Sequence, residues 1–294
     1  MCDDLTADDN DRFLGTRAGV SRREFGALAG AAGLIAALPV PANAKPITGR
    51  DVTITTPDGV CDAYFAAPSR GKAPAVLVWP DIMGLRPAFR QMGDRLAQSG
   101  FAVLTVNQFY RSTKAPFLAP GESFDQPEVR ARIAPWRAAL SQDGTRRDAR
   151  AFVDWLDRQP QVDTRRGIGT TGYCMGGPMT MLTATERPDR VRAGASFHGG
   201  GLATDRPDSP HLGVPAMKAG FLFAVAENDD QRNPAEKDKL RDAYAAAKLP
   251  AEIEVYAGTL HGWCPPDSRV YNAAQAEKAW GRLLALFDGG LRRG

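Results

Sequence analysis

One of the four cysteines in this sequence sits where a thiol could act as a nucleophile. In Gly172-Tyr173-Cys174-Met175-Gly176-Gly177, glycine stands two residues before and two after Cys174, between a strand-like run and a helix-like run. A tight strand-to-helix turn forces the residue at its tip into a strained backbone conformation, and the glycines remove side chains that would collide there. The sulfur would then stand at a helix N-terminus, which favours the thiolate, and the Met175 N–H would face a developing oxyanion. The plain alternative is a buried structural cysteine in a glycine-rich loop, so its partners must decide.

A cysteine nucleophile needs a base. His261, in Leu260-His261-Gly262-Trp263, follows the last predicted strand and precedes the last predicted helix. The preceding strand ends in Glu227-Asn228-Asp229-Asp230, and Asp229 is the expected orienting acid, with Asp230 and Glu227 as alternatives. The chain order Cys174, Asp229, His261 separates this set from other triad orders. A second oxyanion donor is expected from Asp81-Ile82-Met83-Gly84-Leu85, where the Ile82 N–H is the candidate. Asp81 reads either as an ordinary loop carboxylate or as an acid that controls the thiol. His198 also ends a strand but is out of order for the base; it lines the pocket or is structural, and His211 beside Pro210 is expected at the surface.

The elements that must hold these residues have a repeating pattern. Alternating residues over 51–56 and 60–65 flank Pro57-Asp58-Gly59 and predict a hairpin. Apolar runs over 75–79, 101–106, 166–172, 192–197, 220–226 and 252–256 lack clean alternation, as strands buried on both faces do. Helical periodicity covers 87–98, 144–158, 175–186, 234–247 and 272–287. Strands alternating with helices predict an α/β fold with a mostly parallel central sheet and helices on both faces. Segment 112–143 carries Pro116, Pro120, Pro127 and Pro135 and reads as a long irregular excursion, a candidate lid or pocket wall. Gly167, Gly169 and Gly172 match a dinucleotide-binding spacing, but inside a strand rather than in a turn opening a helix, so no such cofactor is expected.

Composition narrows the function classes. The 294 residues are 43% hydrophobic and 24% charged with a net charge of +3 and no basic block, which excludes a nucleic-acid footprint. The four cysteines and three histidines lack zinc-site spacing, so neither a metal nor any other cofactor is expected. Residues 1–44 read as an address: Ser21-Arg22-Arg23-Glu24-Phe25 precedes an apolar run over 25–38, and Ala42-Asn43-Ala44 offers a cleavage site. The paired arginines resemble a twin-arginine export signal, implying the export machinery as a partner and a periplasmic or secreted protein. The run is shorter than the roughly 20 residues of a membrane-spanning helix, so no stable span is expected. Residues 45–294 are left as one domain. In an oxidising compartment Cys61 and Cys264 are candidates to pair, with each unpaired as the equal alternative.

The Gly-Tyr-Cys-Met-Gly-Gly elbow, the Asp-Ile-Met-Gly-Leu loop, the strand-end acids and Leu-His-Gly-Trp together resemble the dienelactone hydrolase family across nearly all of 45–294. The resemblance implies an α/β-hydrolase fold, a Cys-Asp-His triad and opening of an enol-lactone, the carboxymethylenebutenolidase reaction. It implies that Asp81 stands for a loop glutamate that holds the resting thiol, one methylene shorter here. Trp263-Cys264 stands where the family has a substrate-binding arginine. Phe109-Tyr110-Arg111 is similar to a family segment, so Arg111 is a candidate to meet an anionic group, with a solvated loop arginine as the alternative; Asp81, Tyr110, His198 and Trp263 are the other candidate substrate contacts. The expected function is hydrolysis of a small ester or lactone through a thioester. The alternatives are a thioesterase or acyl transferase on the same triad, or a non-catalytic periplasmic thiol sensor or binding protein. A sensor needs an accessible thiolate but no base, so His261→Ala separates the classes.

Overall fold

The computed structural model describes Asn10 and residues 36–291. The expected twin-arginine motif and most of the apolar run of the leader lie outside the described residues.

The elements run β1 (Ile47–Thr56), β2 (Gly59–Pro68), β3 (Ala75–Trp79), α1 (Pro87–Gln98), β4 (Ala102–Val106), α2 (Pro127–Ala138), α3 (Gln142–Asp157), β5 (Ile168–Tyr173), α4 (Gly176–Glu186), β6 (Val191–Phe197), β7 (Gly220–Ala226), α5 (Glu227–Arg232), α6 (Ala235–Ala246), β8 (Ala251–Tyr256) and α7 (Ala273–Gly290). Among the described residues the strands form one eight-stranded sheet in the order β1-β2-β4-β3-β5-β6-β7-β8. The hairpin β1-β2 joins β4 antiparallel, and β4 through β8 run parallel.

Period-two alternation divides the strand residues between two faces. Val76, Val78 and Val103 point to a core completed by Phe89, Met92 and Leu96 of α1 and by Ala279, Leu283 and Phe287 of α7. Leu77, Trp79 and Leu104 point the other way, to Phe152, Val153 and Leu156 of α3 and Met179 of α4. Farther along this second face, Phe221 and Phe223 of β7 meet Leu240 and Tyr244 of α6. Both faces are therefore covered, which is why the central strands read as continuous apolar runs. α1 begins where Pro87 occupies its first turn, a position that needs no N–H donor.

Three placements bear on the expectations. The excursion over 112–143 contains α2 and the start of α3: Pro127 opens α2, and Val129 and Ile133, four residues apart, bury its inner edge although Pro135 lies inside it. Cys61 and Cys264 do not pair; both are free, in the cores on opposite faces of the sheet. Burial pushes both thiols up, so neither is a reactive thiolate. Residues 36–44, assigned to the leader, lie against the domain: the Ala36 N–H donates to the Pro266 carbonyl at 3.1 Å, and Leu38 packs on the core beside α1 and α7. No described helix is long and apolar enough to cross a membrane.

Candidate active site

Cys174 sits between β5 and α4 with φ of 53°, in the left-handed region that a non-glycine residue adopts at a cost. Its N–H donates to the Phe197 carbonyl at the end of β6, and its own carbonyl accepts from the Gly177 N–H, both at 3.0 Å. The elbow closes only because glycine flanks it. A Cβ on Gly172 would lie 2.1 Å from the Gly176 carbonyl oxygen, and one on Gly176 would lie 2.3 Å from that of Trp79. The turn thus presses against the end of β3, where the oxyanion loop begins. Met175 directly precedes the first residue of α4, so its N–H belongs to the positive end of that helix.

The candidate base and acid are brought together from two loops at the same end of the sheet. His261 Nδ1 lies 2.7 Å from Asp229 Oδ2, and the ring is buried. Asp229 reaches it from α5, a six-residue helix directly after β7. Asn228 Oδ1 accepts from the His261 N–H at 2.9 Å, tying the two loops through the backbone as well. Asn10 adds a bridge, accepting from Asn228 Nδ2 at 2.7 Å and donating to the His261 carbonyl at 3.2 Å. The other two candidate acids face elsewhere: Asp230 pairs with Lys237 at 2.5 Å, and Glu227 accepts from the Gly258 N–H at 2.5 Å. Burial would raise the Asp229 carboxyl, but the hydrogen bond and charge of His261 outweigh it and hold the group below its ordinary value.

The loop after β3, expected to supply an oxyanion donor, is held from several directions. Gln108 Nε2 donates to the Asp81 carbonyl at 2.7 Å and to that of Pro80 at 3.3 Å, pinning both peptide oxygens ahead of the Ile82 N–H. The Met83 N–H is engaged by Asp81 Oδ1 at 2.9 Å, and the Gly84 N–H by the Asp81 carbonyl at 2.9 Å. Ile82 itself is packed beside Cys174 in one apolar cluster.

Asp81, expected as a possible regulator of the thiol, has both oxygens on Arg86, at 2.6 and 2.9 Å. Arg86 is buried and holds Asp267 as well, at 2.6 and 2.9 Å. One guanidinium therefore ties the oxyanion loop to the chain just beyond His261. Burial would lower its affinity for the proton, but the two carboxylates outweigh this and hold the charge firmly.

The expected substrate contacts are placed differently from one another. Tyr110 Oη is 2.6 Å from Thr56 Oγ1 and donates to Asp148 at 2.7 Å. Arg111 donates to Asp148 at 2.8 Å and to Asp58 at 2.6 Å. Both therefore brace the hairpin turn against α3, rather than standing free for a substrate anion. Trp263 is 0% exposed, stacked on Tyr256 at 4.9 Å in the core behind the site, so it is a packing residue. His198 is also 0% exposed, at φ of 41°, with its ring 5.3 Å from that of His261 and 6.2 Å from that of Trp263. Neither of its ring nitrogens has a hydrogen-bond partner among the described residues. Burial and then the neighbouring His261 keep it neutral, well below the ordinary histidine value. His211 is only partly buried and pairs with Ser209 at 2.7 Å.

Sequence reasoning missed Gln108, Asn228, Arg86 and Asp267. Asn228 lay inside the acid-rich strand end and was readable as its backbone partner. The other three carry no motif, because their roles depend on contacts between distant segments. Among the described residues no cluster of histidine, cysteine and carboxylate side chains could hold a metal ion.

Part of segment 112–143 packs on the cluster that holds Cys174. Val129 and Ile133 of α2 join Ile82, Phe109 and Cys174 in one apolar cluster, with Phe117, Leu118, Phe124 and Trp136 packed at its margin.

Comparison with known proteins gives this arrangement a family. A family profile described as "Dienelactone hydrolase family" matches residues 61–290. A relative from Methylorubrum extorquens named "Putative carboxymethylenebutenolidase" is 29% identical over 295 residues, covering 96% of this chain and 98% of its own. The carboxymethylenebutenolidase of Rhodococcus opacus is 25% identical over 228 residues, covering 76% and 84%. The crystal structure of a dienelactone hydrolase-like promiscuous phosphotriesterase from metagenomic libraries superposes with a TM-score of 0.67 at 22% identity, covering 84% of this chain and 99% of that one, a likeness of fold. The chain belongs to the dienelactone hydrolase family and is a hydrolase of the α/β-hydrolase fold.

Proposed function

We propose that this protein hydrolyses a small ester or lactone through a thioester on Cys174. The observation that carries the reading is the His261–Asp229 pair at 2.7 Å in the same loop-bearing end of the sheet as an elbow cysteine with φ of 53°. Cys174 passes its thiol proton to His261, and the thiolate attacks the carbonyl carbon; the electron pair moves onto oxygen, where the N–H groups of Met175 and Ile82 receive it. Collapse breaks the carbon–oxygen bond; the leaving alcohol takes a proton from His261, and a thioester remains. Water then gives a proton to His261 as it attacks the thioester, and collapse releases the carboxylic acid and returns Cys174. Asp229 holds the imidazole tautomer and stabilises the imidazolium. A thiolate leaves more readily than an alkoxide or an amide anion, so attack on an amide returns to starting material, and activated esters and lactones are the matching substrates.

Export is part of the same reading. The Arg22-Arg23 pair, the apolar run after it and Ala42-Asn43-Ala44 support delivery to the periplasm or outside the cell by the twin-arginine machinery.

Steady-state hydrolysis of a neutral 4-nitrophenyl ester by reduced protein tests the mechanism. Cys174→Ala and His261→Ala should each lower kcat/KM to near the uncatalysed rate. Turnover that survives both substitutions would sink the triad; retained thiol oxidation with no turnover in the parent protein would favour a sensor.

A further inference from the structure

We infer that the site selects a neutral, apolar acyl group of about aromatic-ring size, and that the roof over Cys174 is the selecting element. The inference rests on the thiol-hydrolase reading above and names the substrate class of that site.

Cys174 is 1% exposed and shares one apolar cluster with Ile82, Phe109, Val129 and Ile133. Above it the rings of Phe109, Phe117 and Trp136 form a triangle with centroid separations of 5.6, 5.1 and 6.3 Å, two of them edge to face. The oxyanion loop is packed into the same surface: Gly84 has φ of +68°, and a Cβ on it would lie 2.5 Å from a ring carbon of Phe117. Nucleophile, oxyanion loop and roof therefore present one continuous apolar face.

In the reduced protein a substrate reaches the sulfur by displacing part of this layer. An aromatic or branched acyl group replaces the contacts that it displaces and gains from burying its own apolar surface. A carboxylate in the same place would need a cation, because an unpaired buried charge is strongly disfavoured. Four arginines of the surrounding segments are engaged elsewhere. Arg86 holds Asp81 and Asp267, Arg111 holds Asp58 and Asp148, and Arg132 holds Glu122. Arg130 donates to the carbonyls of Phe124 and Asp125. Recruiting any of these four to a substrate carboxylate would cost it an existing acceptor.

The test uses two matched reagent pairs on reduced full-length protein. The first compares 4-nitrophenyl 3-phenylpropanoate with mono-4-nitrophenyl adipate, each rate divided by its spontaneous hydrolysis. The second does not need turnover: N-(2-phenylethyl)iodoacetamide and iodoacetate alkylate the Cys174 thiolate, the carbon–sulfur bond forming as iodide leaves. Each alkylation rate is divided by that for glutathione, and the site is located by peptide mass. The expected kcat/KM ratio is at least about 100-fold in favour of the aromatic ester, from burial of one ring against an unpaired charge, and about tenfold or more for alkylation. Trp136→Ala should lower both ratios about fivefold. Aromatic preference in alkylation without any Cys174-dependent turnover keeps the apolar site and removes the hydrolase reading. Equal or faster reaction of the anionic members overturns the inference. So does a Trp136→Ala variant with undiminished preference, or a reduced Cys174 that reacts with neither iodo reagent.

Discussion

Replacing Arg86 with Leu should be among the most damaging single changes to this fold outside the apolar core. The guanidinium makes four close contacts, two with Asp81 at 2.6 and 2.9 Å and two with Asp267 at 2.6 and 2.9 Å. Its side chain is 6% exposed, and those of the carboxylates 9% and 22%. Such a pair adds little compared with a well-packed apolar replacement of the whole group, but removing one partner leaves charge buried without compensation. The expected loss is about 3–5 kcal/mol. With a urea slope of roughly 2–3 kcal/mol/M for a domain of this size, the unfolding midpoint should fall by between 1 and 2 M, taken as about 4 kcal/mol over that slope. Adding Asp81→Asn and Asp267→Asn to Arg86→Leu should recover more than half of the loss, because the stranded charges are then gone. Activity should fall with Arg86→Leu in conditions where the variant is still folded, since Arg86 joins the oxyanion loop to the segment after His261. A midpoint shift equivalent to less than about 1 kcal/mol, the value of an exposed pair, would refute the reasoning, as would no recovery in the triple variant.

Four further outcomes follow from the site. Asp229→Asn should lower kcat about 10³–10⁴-fold with little change in fold, as loss of the orienting acid does in other triads; a loss below tenfold would remove Asp229 from the mechanism. Because the Asp229 carboxyl is held below its ordinary value, its bond to His261 contributes stability that is fully present above about pH 4. That contribution is lost as pH falls through the lowered value, so the stability gap between parent and Asp229→Asn, followed by urea titration, should close in acid and not in base. Gln108→Leu frees the carbonyls of Pro80 and Asp81 and should lower kcat about 10–100-fold with KM nearly constant, whereas a purely structural role would leave kcat in the folded fraction unchanged. His198→Phe removes two buried ring nitrogens that lack partners among the described residues and should leave the thermal midpoint unchanged or raise it, each orphan costing about 1–3 kcal/mol; a marked drop would mean that the imidazole has a partner in solution.

The parts of the fold legible in the sequence are those whose cause is local. Residues 87–98 and 220–226 were bounded as they occur, because Pro87 marks a helix start and the run from Gly220 to Ala226 is apolar between polar ends. The elbow was legible for the same reason: the steric demand that Gly172 and Gly176 meet is a short-range one. Helix α2 was not, since four prolines argue for an irregular chain, and only burial of Val129 and Ile133 against the Cys174 cluster stabilises the helix. The roles of Arg111 and Tyr110 went unseen because their acceptor, Asp148, lies 37 and 38 residues away on α3. Asp267 lies 181 residues from Arg86, beyond any spacing rule. Spacing leaves pairing and non-pairing of Cys61 and Cys264 as equal alternatives, and the sheet that stands between them decides for the second.

The most direct test of the central claim is to trap the covalent intermediate. Reduced protein mixed with 4-nitrophenyl 3-phenylpropanoate and quenched in acid within the first turnover should gain the mass of one phenylpropanoyl group. The gain should map to the peptide that contains Cys174 and be absent in Cys174→Ala. The adduct should persist longer in a His261→Ala sample pre-loaded with a more reactive acyl donor, because the second half-reaction needs the base. Burst release of 4-nitrophenol with no acyl mass on Cys174, or with the mass on another residue, would contradict the account.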